Sequence, residues 1–192
     1  MTQNASNLSD LGVGGGWISF GPTTYNNVVT STTQDKTTRN RVSGEYDFKD
    51  SGALYVQKAN GFALSPQTSF KVDSIYEDVD ALFFDADGDK DLDLYVVTGG
   101  NEFYDKMPEQ FDRLYKNDGK GNFTRDLKAL PAMYDNKSVV RPCDFDRDGD
   151  IDLFVGGRVV GYHYGYSPKS YLLVNNGKGQ FADRTQALAP DL

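Results

Sequence analysis

The sequence predicts an all-β protein of about three repeated units, each a blade of four short antiparallel strands as in a β-propeller. Two observations carry that expectation and a third supports it. An aspartate-rich run, FDADGDKDLDLYVV starting at Phe84, returns as CDFDRDGDIDLFV starting at Cys143, which sets Asp85 and Asp144 59 residues apart. A different landmark, LYKNDGKGNF starting at Leu114, returns as LLVNNGKGQF starting at Leu172, at a spacing of 58. Two unrelated features that share one period mark an internal repeat. The chain is also 13% aromatic, and its apolar runs are short and bounded by turn residues, with no long helical stripe. That pattern belongs to β structure.

The units follow in order. Residues 1–10 are polar and read as a loose tail. Residues 11–77 form a divergent first repeat without a metal loop: sixty residues before Asp85 stand Tyr25, Asn26 and Asn27, with no carboxylate. Strands are expected there at 17–20, 27–33 and 41–48, and Asp47 and Asp50 would make only a poor cation site. A shortened copy of the Leu114 landmark, LYVQKANGF, spans residues 54–62.

Residues 78–133 make a second repeat with the first aspartate loop and a long excursion at 101–113, expected to cover a blade edge, the alternative being a binding face. Residues 134–192 make a third repeat with the second loop. Its strands are expected at 138–143, 153–160, 170–174 and 180–184, the last two joined by Asn175, Asn176, Gly177, Lys178 and Gly179. Asn and Gly tolerate the positive φ that a tight hairpin requires. Four antiparallel strands at a fixed period give a propeller blade.

The loops dictate the chemistry. Each places five carboxylates in nine residues: Asp85, Asp87, Asp89, Asp91 and Asp93 in one, Asp144, Asp146, Asp148, Asp150 and Asp152 in the other. So many negative groups repel one another unless a cation lies among them. A hard divalent ion suits the donor set. Calcium accepts six to eight oxygens in forgiving geometry, and carboxylates at positions 1, 3, 5 and 9 with a main-chain carbonyl at position 7 supply them. The helix-loop-helix calcium hand is excluded, because position 12 is Val96 or Val155 instead of glutamate, and position 6 of the first loop is Lys90 instead of glycine. The residues after each loop, Leu94, Tyr95 and Val96 or Leu153, Phe154 and Val155, suit a strand.

Composition narrows the partners. The net charge is −8, and the two loops hold ten aspartates against one Lys and one Arg, so the acidity is local. Two divalent ions would halve the total. No basic cluster suits nucleic acid. One cysteine, Cys143, excludes an internal disulfide and a multi-cysteine zinc site, and its place beside a strand-to-loop junction predicts a small buried side chain. No segment is apolar enough to enter a bilayer, and the first residues lack the basic start and apolar stretch of a signal peptide.

With the loops, the stretch 77–89 and the glycine-flanked stretches 95–103 and 152–160 in view, the chain resembles the FG-GAP/VCBS repeat proteins, relatives of the integrin α-subunit propeller. It is most similar to bacterial ASPIC/UnbV, cartilage-acidic-protein-like members. The likeness runs from about residue 51 to 192. It implies that the loop joining the first two strands of a blade binds calcium. Asp85, Asp87, Asp89 and Asp93 with the carbonyl of Asp91, and Asp144, Asp146, Asp148 and Asp152 with the carbonyl of Asp150, match the ligand positions, giving two calcium sites.

The expected function is that of a non-catalytic, calcium-stabilised propeller segment. It would act as an interaction or adhesion module at the cell surface, in the periplasm or outside the cell, and its partner would be a protein or glycan. The alternatives are a polysaccharide-acting or sugar-binding propeller protein and a self-assembling fragment. Three units fall short of the four to eight blades that close a ring, which leaves a piece of a longer chain, a homo-oligomer or a capped open stack. The loop 161–168, with His163, Tyr162, Tyr164 and Tyr166, offers aromatic surface for a sugar, and packing on its own blade is the simpler expectation. No nucleophile and base stand together, so no catalytic residue is assigned.

Overall fold

The computed structural model describes residues 28–31, 52–58, 61–100, 106–163 and 165–192. They fall into two compact units, Met1–Ile75 and Tyr76–Leu192. The tail, the strands expected at 17–20 and 41–48, Asp47, Asp50 and Tyr164 lie outside the described residues.

In the first unit, β1 (Val28–Ser31), β2 (Ala53–Lys58) and β3 (Gly61–Ser65) form a three-stranded antiparallel sheet in that order. The shortened copy of the second landmark is the β2–β3 hairpin, paired from Leu54↔Ser65 to Lys58↔Gly61. A five-residue helix, α1 (Thr68–Val72), follows and buries Phe70; Leu54 of β2 is buried too.

The second unit holds two full blades. The first is β4 (Asp78–Phe84), β5 (Asp93–Thr98), β6 (Arg113–Asn117) and β7 (Phe123–Arg125), hydrogen-bonded in sequence order. The second is β8 (Asn136–Cys143), β9 (Asp152–Val159), β10 (Tyr171–Asn175) and β11 (Phe181–Asp183), again in order. A short helix, α2 (Thr185–Leu188), ends the chain. All neighbours are antiparallel, and each aspartate loop connects the first strand of its blade to the second. This is the architecture of a partial propeller.

The core lies between the two blades. Phe84, Tyr95, Val97 and Leu114 from one face of the first sheet meet Val140, Leu153, Val155, Tyr171, Leu173 and Phe181 from the second. Phe84 and Phe181 pack edge to face with ring centroids 6.1 Å apart, an arrangement the aromatic quadrupoles favour. Polar bonds fix the seam: Asp80 Oδ2 accepts from the Val140 amide at 3.0 Å and from Arg141 Nη1 at 3.1 Å, and the Phe181 amide donates to Ala129 O at 2.7 Å.

A charge is buried in the same region. Lys137 of β8 is wholly enclosed and donates to the carbonyls of Gln110 (2.7 Å), Met133 (3.2 Å) and Asp135 (2.7 Å), with Asp112 Oδ1 at 3.4 Å. Asp112 in turn accepts from Tyr95 Oη and the Thr98 amide. A buried ammonium is tolerable only when its protons are all matched in this way. The excursion before β6 thus ends in residues that serve the core, Gln110, Asp112 and Arg113, the last paired with Asp78.

One expectation is corrected. Cys143 is exposed, although its counterpart one period earlier, Phe84, is buried. The face of the first blade that carries Phe84 is covered by the second blade. Cys143, with Arg141 and Pro142, ends β8 in the open.

Candidate metal centre

Both loops fold the same way because their backbones need the same two turns. Positions 4 and 6 have positive φ in each: Gly88 (+80°) and Lys90 (+73°) in the first loop, Arg147 (+64°) and Gly149 (+95°) in the second. Glycine and a basic residue have exchanged places. The left-handed conformation costs a non-glycine residue about 1–2 kcal/mol, so each loop accepts one such cost.

The turns draw the carboxylates inward. Oxygens of Asp85, Asp87 and Asp89 lie within 4.8 Å of one another, as do oxygens of Asp144, Asp146 and Asp152. Loop amides partly neutralise them. Asp85 accepts from the Gly88 amide (2.7 Å) and the Lys90 amide (3.0 Å), Asp89 from the Asp91 amide (3.0 Å), and Asp148 from the Asp150 amide (2.9 Å). Asp87 Oδ1 and Asp91 Oδ1 are buried and have no hydrogen-bond partner.

The electrostatics follow from this crowding. Burial pushes the Asp91 carboxyl above its usual range, and the charges of Asp89, Asp87, Asp85 and Asp118 push the same way. Asp150 rises through desolvation and then through Asp148, Asp152 and Asp144. Asp146 rises too, first through desolvation and further through Asp148 and Asp152, against the bond from the Asp148 amide. Burial takes Asp93 up to about 6, although the Asn117 and Ala86 amides hydrogen-bond its charged form.

The ninth-position aspartates hold the loops to the rest of the blade. Asp93, buried, accepts from the Ala86 amide (3.1 Å) with Oδ2 and from the Asn117 amide (2.8 Å) with Oδ1. Asp152, also buried, accepts from the Phe145 amide with Oδ2 and from the Asn175 amide with Oδ1, both at 2.8 Å. Each thereby ties its loop to the β6–β7 or β10–β11 hairpin. The hairpin reciprocates: Asn117 Nδ2 donates to Leu92 O at 3.1 Å, and Asn175 Nδ2 to Ile151 O at 3.2 Å. Every carboxylate oxygen has two lone-pair directions, so accepting an amide leaves one free for a cation.

Sequence reasoning read the second landmark as a turn and missed this partnership. Asn117 and Asn175 are the residues it overlooked, together with Gly119 and Gly177. A Cβ on Gly177 would stand 2.5 Å from Asp150 Oδ2, and one on Gly119 3.3 Å from Asp91 Oδ2. The shared period was the available signal, since two landmarks that recur together can belong to one site.

The donor set fits a hard cation. It is all oxygen, it is under-neutralised by the loop amides, and it includes one buried carboxylate oxygen, Asp87 Oδ1, without a hydrogen-bond partner. Of the ten aspartates singled out in the sequence, Asp85, Asp87, Asp89, Asp144, Asp146 and Asp152 fall in the two clusters, and Asp91, Asp93, Asp148 and Asp150 do not. No helix among the described residues is long and apolar enough to cross a membrane.

Comparison with known proteins gives one result. Residues 85–155 match the model of the FG-GAP-like repeat, from Asp85 through the second loop to Val155. No curated protein and no solved structure matches the chain.

Proposed function

We propose that this FG-GAP repeat protein is a non-catalytic, calcium-stabilised propeller module that presents a binding surface to a protein or glycan outside the cytoplasm. The observation that carries the reading is the pair of carboxylate clusters, one with Asp87 Oδ1 buried and unsatisfied. Asp85, Asp87, Asp89 and Asp93 with the Asp91 carbonyl would hold one ion, and Asp144, Asp146, Asp148 and Asp152 with the Asp150 carbonyl the other. The ion supplies positive charge where amides cannot, and it locks the loop between the first two strands of each blade. Because the unfolded chain holds no such cage, binding energy becomes folding energy. Sites of this kind in extracellular modules work at millimolar calcium, which favours the surface, the periplasm or the exterior. The kinship to ASPIC/UnbV proteins belongs to the same proposal.

Melting the protein with calcium and with chelator tests it. A ligand at about a hundred times its dissociation constant adds about 2.7 kcal/mol, so one filled site raises the midpoint by roughly 5–11 °C in a domain this size. Identical melting curves would overturn the reading. Tyr162 and Tyr166 are exposed, and His163 and Tyr166 stack edge to face, which favours a glycan among the partners; a glycan array checks this.

A further inference from the structure

We infer that Lys116 is a built-in cation of the first loop, making that loop the weaker of two calcium sites and coupling its filling to the hairpin of the following blade. The inference rests on the calcium reading above and goes beyond it. Lys116 projects from β6 of the first blade, and its Nζ lies 2.9 Å from Asp87 Oδ2 and 3.1 Å from the carbonyl of Lys178, in the β10–β11 turn of the second blade. Its seat is made by a glycine. A Cβ on Gly179 would fall 3.2 Å from Nζ and 3.5 Å from the Asp87 Cβ.

Among the described residues no Lys or Arg pairs with a second-loop carboxylate. In the hairpin register that matches Asn117 with Asn175, the residue at the Lys116 position is Val174. Asp146, the counterpart of Asp87, therefore faces the metal position without an ammonium from its own hairpin.

Two consequences follow. An ammonium paired with Asp87 Oδ2 opposes a divalent ion on the same carboxylate, whose Oδ1 is unpartnered, by charge repulsion, which amounts to roughly tenfold or more in affinity at a partly exposed site. Calcium on Oδ1 also draws negative charge from the Asp87 carboxylate and repels the ammonium on Oδ2, weakening one of the two anchors of Lys116. The bond to Lys178 O, which joins the blades, is then held or lost according to whether the site is filled. The first loop so becomes a calcium-sensitive latch on the seam, and the second a constitutive one.

Calorimetric titration of the intact chain with calcium is the test, on wild type, Lys116→Met, Lys116→Gln, Lys116→Arg and Val174→Lys, with Asp148→Asn used to identify the second site. Wild type should show two dissociation constants. Lys116→Met and Lys116→Gln should tighten the weaker one at least fivefold, leave the tighter one unchanged and lower the melting temperature of the metal-free form. Lys116→Arg should retain wild-type constants, and Val174→Lys should weaken the tighter site. Two filled sites with constants unmoved in both neutral variants would overturn the role of Lys116 alone. No calcium uptake by wild type would overturn the calcium reading, and this inference with it.

Discussion

The two aspartate loops spell nearly the same motif, yet the molecule surrounds them differently. The first lies between two hairpins. Its own is tied on through Asp93 and Asn117, and that of the next blade reaches it through Asn175, whose Nδ2 donates to Ala86 O at 2.8 Å, and through the Lys178 carbonyl that holds Lys116. Ala86 is accordingly buried, and Asp85 and Asp87 are half-buried. The second loop keeps the tie to its own hairpin, while Asp146 and Asp148 are exposed. The lesson is that a ligand motif sets which atoms can bind, and the neighbouring blade sets how much charge must be offset before anything binds.

The largest effects should come from what the loops share. Replacing Asp152 with Ala leaves two amides, of Phe145 and Asn175, without their acceptor, at about 1–3 kcal/mol each. The two together make about 2–6 kcal/mol, so the metal-free midpoint should fall by roughly 4–24 °C in a thermal melt. Asp93→Ala should do the same through Ala86 and Asn117. Asp148→Ala removes a ligand without removing that tie, so it should abolish calcium stabilisation of its loop and barely move the metal-free midpoint. Equal losses for Asp148→Ala and Asp152→Ala in the metal-free protein would break the distinction between ligand and clasp.

A smaller effect separates close approach from backbone conformation. Gly149→Ala places a Cβ in open space at φ +95°, so the left-handed conformation alone is charged, about 1–2 kcal/mol. Gly177→Ala meets that same cost at φ +70° and also drives a methyl into Asp150. Denaturant unfolding should show the larger loss at Gly177, and only that variant should weaken calcium binding in the second loop.

The smallest effect is the pH response. In the metal-free protein Asp93 titrates at about 6 and Asp91, Asp146 and Asp150 are raised. The folded chain therefore holds more protons than the unfolded chain between about pH 4 and 6, and stability must fall as pH rises through that window. Acidifying from pH 7 to 5 should raise the metal-free midpoint by a few degrees while weakening calcium. Asp118 and Asp183 have the opposite sign. The side chain of Asn122 with loop amides lowers Asp118, while the Lys169 and Thr185 bonds outweigh burial at Asp183. Their contribution is lost as pH falls below about 4. A metal-free midpoint that climbs with pH between 5 and 7 would contradict this assignment.

The strand-loop-strand plan was legible because charge spacing and branched residues act locally: five carboxylates need a turn whatever packs around them. The two full blades follow the shared period, whereas the first sheet has three strands among the described residues. Asn117, Asn175 and Lys116 were hidden, since a side chain that works across a hairpin or between blades has no local signature. Cys143 was misread for the same reason, as its exposure depends on what covers the second blade and not on its neighbours in sequence.

Lys137 bears on how the blade pair comes apart. Its ammonium belongs to the second blade, but the Gln110 carbonyl and Asp112 beside it belong to the segment that leads into β6 of the first, so peeling the blades apart would part a cation from its anion and its carbonyl. Half-separated states are thereby made rare, and the two blades should melt in one cooperative step.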